Sequence, residues 1–289
     1  MDKTTAYLQI LAACFPDLPI ETVTRSGAGQ YNDVLLLNES LIFRFPKYAE
    51  GIQTLQNEVW ILKSLQGHTR RPVPNPIYVH EGGPVGEVFM GYPKLPGEPL
   101  WRESLKTIED ETVIQRLAAQ LAHFLVDLHQ FPVTLLPADI PVRDSLTGIK
   151  EMYAGVRTHL FHHMRAEARQ EVQDHFETYL ETPALREYTP VLHHGDFGGS
   201  NILYDPESQQ ISGVIDFGFA GLGDPAQDIA AISTYGESFF SQFCQFYPQI
   251  EALLPRARFY RGTFALSEAL HGALHHDEEA FRAGMAAYL

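Results

Sequence analysis

The feature that most constrains the fold is Pro93-Lys94-Leu95-Pro96-Gly97. Two prolines and a glycine in so short a run suit neither a helix interior nor a central strand. The segment also separates two kinds of hydrophobic patterning. Before it, residues 21–25, 33–37 and 41–45 are short β-rich runs, with Asn38-Glu39-Ser40 as a turn and Pro46 ending the third. Residues 51–66 then switch to a helical period, with Ile52, Leu55, Val59, Leu62 and Leu65 recurring three or four apart. Residues 72–76 read as an extended connector, and 77–80 with 87–92 as a hairpin around Glu81-Gly82-Gly83-Pro84. After the break, 112–130 is an amphipathic helix through Ile114, Leu117, Leu121, Leu125 and Leu128. A polar helical stretch follows over 146–180, then short strands at 191–193, 202–204 and 211–215, and helices to the end. The pattern predicts an α+β chain in two lobes: a small β-rich lobe over 1–92 with one main helix, a hinge over 93–99, and a larger, mostly helical lobe over 100–289. With 289 residues, the two lobes can bury their own cores without disulfide or metal staples.

Charge narrows the function. Twenty-one basic residues against 36 acidic ones leave a net −15, which opposes binding to a phosphate backbone and favours a cationic partner. A composition of 45% hydrophobic and 20% charged residues excludes a disordered chain. No window reaches the roughly 18 uninterrupted apolar residues of a membrane helix. Cys14 and Cys244 read as small hydrophobes in a reducing compartment rather than a disulfide framework. Leu11-Ala12-Ala13-Cys14 has the look of a lipoprotein cleavage site, but Gln9 interrupts the apolar run and Asp2 and Lys3 give a poor basic start. Leu8, Leu11, Ala12 and Phe15 fit a helix instead. The expectation is a cytoplasmic monomer that engages neither membrane nor nucleic acid. The thirteen histidines, His162-His163 and His275-His276 among them, have no metal-ligand spacing and read as surface residues.

The chemistry concentrates in two loops. His193-His194-Gly195-Asp196-Phe197-Gly198-Gly199-Ser200-Asn201 places Asp196 and Asn201 on a glycine-bearing loop ahead of an apolar strand. A carboxylate on a rigid loop can act as a general base, and a nearby oxygen donor can hold a divalent cation. Further on, Ile215-Asp216-Phe217-Gly218 sets Asp216 directly after a strand. Mg²⁺ takes hard oxygen ligands from one or two carboxylates and from substrate phosphates, which suits Asp216 with Asn201. Either motif alone arises readily by chance; the pair in this order, separated by strands, is specific. The competing reading is that these acids merely cap turns of a hairpin.

The run His194-Gly195-Asp196 to Asn201, then Ile215-Asp216-Phe217-Gly218, then Gly221-Leu222-Gly223-Asp224-Pro225-Ala226-Gln227-Asp228 resembles the aminoglycoside phosphotransferase family, small-molecule relatives of protein kinases. The resemblance runs from Gly27 to the C-terminal helices; residues 25–48 and 90–99 look most like the 2''-phosphotransferase branch. It implies a bilobal kinase-like fold and Mg²⁺-dependent transfer of the γ-phosphoryl group of ATP or GTP to a hydroxyl, with Asp196 as base and Asn201 and Asp216 as metal ligands. The implied acceptor is an aminoglycoside. A macrolide, choline, homoserine or sugar is the alternative acceptor, and a nucleotide-binding pseudokinase module the alternative class.

The resemblance assigns further residues. Gly27 and Gly29 would lie in the loop covering the nucleotide phosphates. Glu58, on the core-facing stripe of its helix, needs a basic partner. Kinase-like folds use a strand lysine there, but this strand offers Arg44, with Lys47 beyond Pro46. Met90 and Tyr92 resemble the hinge that meets the purine. Asp224 reads either as a helix cap before Pro225 or as the carboxylate that orders the catalytic loop through His194. Glu237 and Glu268, with Asp277-Glu278-Glu279, are the candidate receivers of acceptor ammonium groups, against the plainer reading of solvated helix faces.

Overall fold

The computed structural model describes residues 2–26 and 31–289; Gly27 and Gly29, expected over the nucleotide phosphates, lie outside the described residues. Helix α1 (Lys3–Cys14) precedes strands β1 (Val23–Ser26), β2 (Asn32–Leu37) and β3 (Leu41–Pro46). Helix α2 (Ala49–Leu65) follows, then β4 (Tyr78–His80) and β5 (Phe89–Pro93). These strands form one antiparallel sheet in the order β1-β2-β3-β5-β4.

Strand alternation decides what each face of this sheet does. Leu35, Leu37, Phe43, Phe45 and Phe89 point to one face, where Tyr7 and Leu11 of α1 complete a buried cluster. Asp33 shares that face and is satisfied by Tyr7, Arg25 and Lys3. Asn32, Val34 and Arg44 take the opposite parity; Val34 and Arg44 are cross-strand partners, and all three look into a cleft. The pairing of β2 with β3 thus turns Arg44 away from the α1 cluster.

The chain leaves this sheet at Pro93 and joins a second one as β6 (Glu98–Pro99). Helices α3 (Arg102–Lys106), α4 (Glu111–His129), α5 (Ser145–His159) and α6 (Ala166–Glu181) follow. The polar stretch expected as one helix is therefore two, parted by a 3-10 turn at Phe161–His163. The backbone is extended at Met164 and Arg165, which ends the first helix and lets the second start afresh. Strands β7 (Val191–His193), β8 (Ile202–Asp205), β9 (Gln210–Val214) and β10 (Gly221–Gly223) make two small sheets, β10-β7 and β6-β8-β9. Helices α7 (Ala226–Ile232), α8 (Glu237–Cys244), α9 (Leu254–His275) and α10 (Glu278–Met285) complete the chain. Two short elements, β6 and α3, carry too little periodicity to be read from sequence. Among the described residues no helix is long and apolar enough to cross a membrane.

Candidate active site

Both small sheets of the helical lobe exist to present loops. The 194–201 loop runs from β7 to β8, and Asp216 follows β9. His194 ties the two together. Its Nδ1 accepts a hydrogen bond from the Asp196 amide at 3.2 Å, and its Nε2 lies 3.0 Å from the Ile215 carbonyl. Nδ1 as acceptor and Nε2–H as donor is the one neutral tautomer that serves both. Gly195 is required between them: its φ is +79°, and a Cβ there would sit 2.6 Å from the Phe219 carbonyl oxygen.

Asn201 donates from Nδ2 to both the backbone oxygen and the carboxylate Oδ2 of Asp196, each at 2.9 Å. This holds the Asp196 side chain and leaves Asn201 Oδ1 without a hydrogen-bond donor among the described residues. Asp216 adopts a left-handed backbone, φ +63°, a conformation that Asp tolerates better than most side chains. Its carboxylate is 47% exposed to the cleft while the side chains beneath it are buried. An amide oxygen and an accessible carboxylate are hard donors that fit Mg²⁺, which keeps waters and substrate phosphates in its remaining positions.

From the other lobe, Arg44 donates to Glu58 Oε1 at 2.6 Å through Nη1 and to Asp216 Oδ1 at 3.0 Å through Nη2. Glu58 also accepts the Phe217 amide at 3.0 Å. Burial pushes the Glu58 carboxyl up, against the pull of the Arg44 charge, while Arg44 itself is held firmly protonated by the two carboxylates. Arg44 therefore occupies the place expected of a strand lysine. Lys47 is half-buried and does not line the cleft.

Arg44, Glu58, Asp196 and Asp216 meet in one cleft of about 530 Å³, walled by Asn32, Val34, Thr54 and Phe219. Met90 and Tyr92 are buried inside the first sheet, paired with Arg44 and Ile42, and do not line this cleft. Burial pushes the Tyr92 phenol up to about 12. Glu237 is exposed at the start of α8; two residues earlier, the Tyr235 hydroxyl donates to the Leu100 carbonyl at 2.6 Å. Glu268 is exposed on α9, and Asp277 caps α10 through the Glu279 and Ala280 amides. None of these acids lines the cleft.

Of the two readings of Asp224 the structure shows the helix cap, and the assignment to the 194–201 loop is corrected: among the described residues Asp224 makes no hydrogen bond to that loop. It caps α7 through the Ala226 amide at 3.0 Å and binds α9 through Arg256 Nε at 2.9 Å and the Tyr260 hydroxyl at 3.0 Å. The loop is held by Asp228, which accepts the His194 amide at 2.8 Å, the Gly195 amide at 2.9 Å and His129 Nε2 at 3.0 Å. Asp224 lies on β10's exit, whereas Asp228 sits a helical turn on and faces β7. Burial acts to raise the Asp228 pKa, yet the His129 hydrogen bond and the neighbouring imidazoles hold it far below the usual carboxylate range. His129, His193 and His194 are buried, contrary to the surface expectation for the histidines.

Comparison with known proteins agrees with this geometry. Residues 22–260 match the model of the phosphotransferase enzyme family. Viomycin phosphotransferase of Streptomyces vinaceus is 28% identical over 271 residues, covering 90% of each chain. The GDP and kanamycin complex of APH(2'')-IIIa superposes with a TM-score of 0.87 at 29% identity, covering 97% of this chain and 96% of the other. The GDP complex of wild-type aminoglycoside 2'-phosphotransferase-IIIa gives 0.87 at 28% identity, with 99% and 97% covered. With the family model spanning most of its length and these relatives nearly all of it, the chain belongs to the phosphotransferase enzyme family and is a phosphotransferase.

Proposed function

We propose that the protein transfers the γ-phosphoryl group of ATP or GTP to a hydroxyl of a cationic small molecule of the aminoglycoside class. The observation that carries this reading is the convergence of Arg44, Asp196 and Asp216, from both lobes, on one cleft. The acceptor class rests on the net charge of −15 and on the likeness to a structure holding kanamycin.

Asp196 orients the acceptor hydroxyl and takes its proton as the oxygen attacks the terminal phosphorus. The new P–O bond forms while the bond from that phosphorus to the β–γ bridging oxygen breaks, and the electron pair departs on the nucleoside diphosphate. Asn201 keeps the Asp196 carboxylate aimed, and Asp228 with His194 keeps the loop in place. Arg44, charged and braced by Glu58, steadies the nucleotide phosphates. Asp216 and Asn201 Oδ1 would hold Mg²⁺, which when bound supplies neutralisation of the triphosphate charge. Met90 and Tyr92 lie on β5, the strand that leads into the hinge toward the purine, and Gly27 and Gly29 would cover the phosphates. Glu237, beside the Tyr235 anchor, and Glu268 are the acids offered to acceptor ammonium groups. Catalysis in such a site is mainly positioning and charge neutralisation.

The test is a nucleotide-consumption screen with ATP and GTP over aminoglycosides, macrolides and small alcohols. Turnover confined to polycationic acceptors supports the reading. Turnover of an uncharged alcohol alone moves the protein to another acceptor class, and nucleotide binding without any turnover makes it a binding module.

A further inference from the structure

One cation in the cleft, the half-buried Arg143, has no carboxylate partner among the described residues, whereas Arg44 has two. Arg143 lies just ahead of α5, on a segment docked to β10: the Arg143 amide donates to the Leu222 carbonyl at 2.7 Å, and the Leu222 amide donates to the Pro141 carbonyl at 2.9 Å. This anchor carries the side chain across Gly221 and into the cleft that holds Asp196 and Asp216. There, among the described residues, its Nη2 makes only long contacts, 3.4 Å each, to the carbonyls of Gly218 and Ala220, and its buried Nε has no partner.

No carboxylate among the described residues pairs with Arg143, although the chain carries 36 acidic residues. By contrast, Arg44 is bound to Glu58 and Asp216, and Arg256 to Asp224. Desolvation acts on Arg143 unopposed, lowering its pKa from the ordinary arginine value. A half-buried guanidinium with open donors is costly unless an anion completes it. The anion that this cleft is built to receive, on the reading proposed above, is a triphosphate.

We propose that Arg143 is a further catalytic residue, its guanidinium contacting the phosphoryl group as it passes from the nucleotide to the acceptor hydroxyl. Its place beside the segment after Asp216, in the cleft with Asp196, suits charge that grows on the phosphoryl oxygens during transfer rather than charge already present on the diphosphate. A fork of donors held by backbone anchors needs little rearrangement as that charge develops. The role differs from that of Arg44, whose guanidinium is braced by two carboxylates.

The test uses the full chain with three readouts: steady-state kinetics, affinity for the nucleoside diphosphate, and the thermal midpoint. Arg143→Gln keeps an amide donor for the Gly218 and Ala220 carbonyls but removes the charge. It is expected to lower kcat and kcat/KM together by about 10²–10³-fold, at the scale of one preorganised donor. Diphosphate affinity and thermal midpoint should stay near wild type, and Arg143→Lys should recover part of kcat. Wild-type kcat in Arg143→Gln overturns the inference. So does a loss in both variants that follows a fallen thermal midpoint, which would make Arg143 a structural pin for residues 218–220. Should Arg143→Gln not fold, Arg143→Lys decides: a folded lysine variant with lowered kcat, diphosphate affinity near wild type and turnover raised by free guanidinium supports the inference, and one with unchanged kcat and kcat/KM overturns it. If wild-type protein transfers no phosphoryl group to any acceptor, the reading of the site fails and this inference with it; wild-type turnover beside an active Arg143→Gln removes the inference alone.

Discussion

Arg44 joins two carboxylates from different lobes with one guanidinium, at 2.6 and 3.0 Å. Its identity and its partner Glu58 were legible in the sequence, because strand alternation and a carboxylate on an apolar helix stripe each leave few choices. The second contact, to Asp216, was not, since it spans the lobes. Arg44→Ala leaves Glu58 buried and uncompensated, and should cost about 3–5 kcal/mol of stability if nothing relaxes. Transition-state stabilisation should fall by about 2–4 kcal/mol. Arg44→Lys should regain much of the activity and Lys47→Ala should change little; denaturant melts and steady-state kinetics on the three variants check this ranking. His193 offers a pH test. Its ring is buried against Gly223, both nitrogens lack partners, and burial lowers its pKa. The unfolded chain takes up that proton near pH 6.5, the folded chain only at lower pH, so stability should fall as pH drops below about 6.5. His193→Phe should make that fall shallower by up to about one proton in urea melts between pH 5 and 7.5; an unchanged slope would show that other groups set it.

Elements divide labour between fold and catalysis. Helix α7 carries both duties within one turn: Asp224 at its start binds α9, and Asp228 on its inner face binds the catalytic loop. Sequence showed both acids in one motif, but which one turns inward depends on how α7 packs against β7. Asp224→Ala should lower the thermal midpoint while leaving kcat of the folded protein nearly intact. Asp228→Ala strips two backbone N–H groups of their acceptor, at about 1–3 kcal/mol each. It should lower both the thermal midpoint and the kcat of the folded protein, where Asp224→Ala lowers only the first, read by comparing melts with kinetics. The 146–180 stretch shows a second limit of periodicity. Its helical pattern was visible, but nothing in that pattern marks the 3-10 turn at Phe161–His163 and the extended Met164 and Arg165 that divide it.

Across the whole molecule, the two-lobe layout was legible because the patterning changes sharply at 93–97, while the cleft between the lobes could be inferred only through its motifs. Arg143 illustrates the difference: it falls between helices, outside any motif, and only the docking of residues 141–143 on β10 brings it to the site. The net −15 also acts at this scale. If the acceptor is a polycation, its affinity should weaken steadily with added salt, as the screening length shortens from about 30 Å at 0.01 M to about 10 Å at 0.1 M. Calorimetric titration at several salt concentrations tests this, and salt-independent binding would separate the acceptor from the charge. The central claim is that this cleft transfers a phosphoryl group with Asp196 as base, and its most direct measurement is turnover and nucleotide affinity of Asp196→Asn beside wild type. The predicted result is a kcat lower by about 10²–10⁴-fold with nucleotide affinity nearly unchanged; wild-type turnover in Asp196→Asn would contradict it.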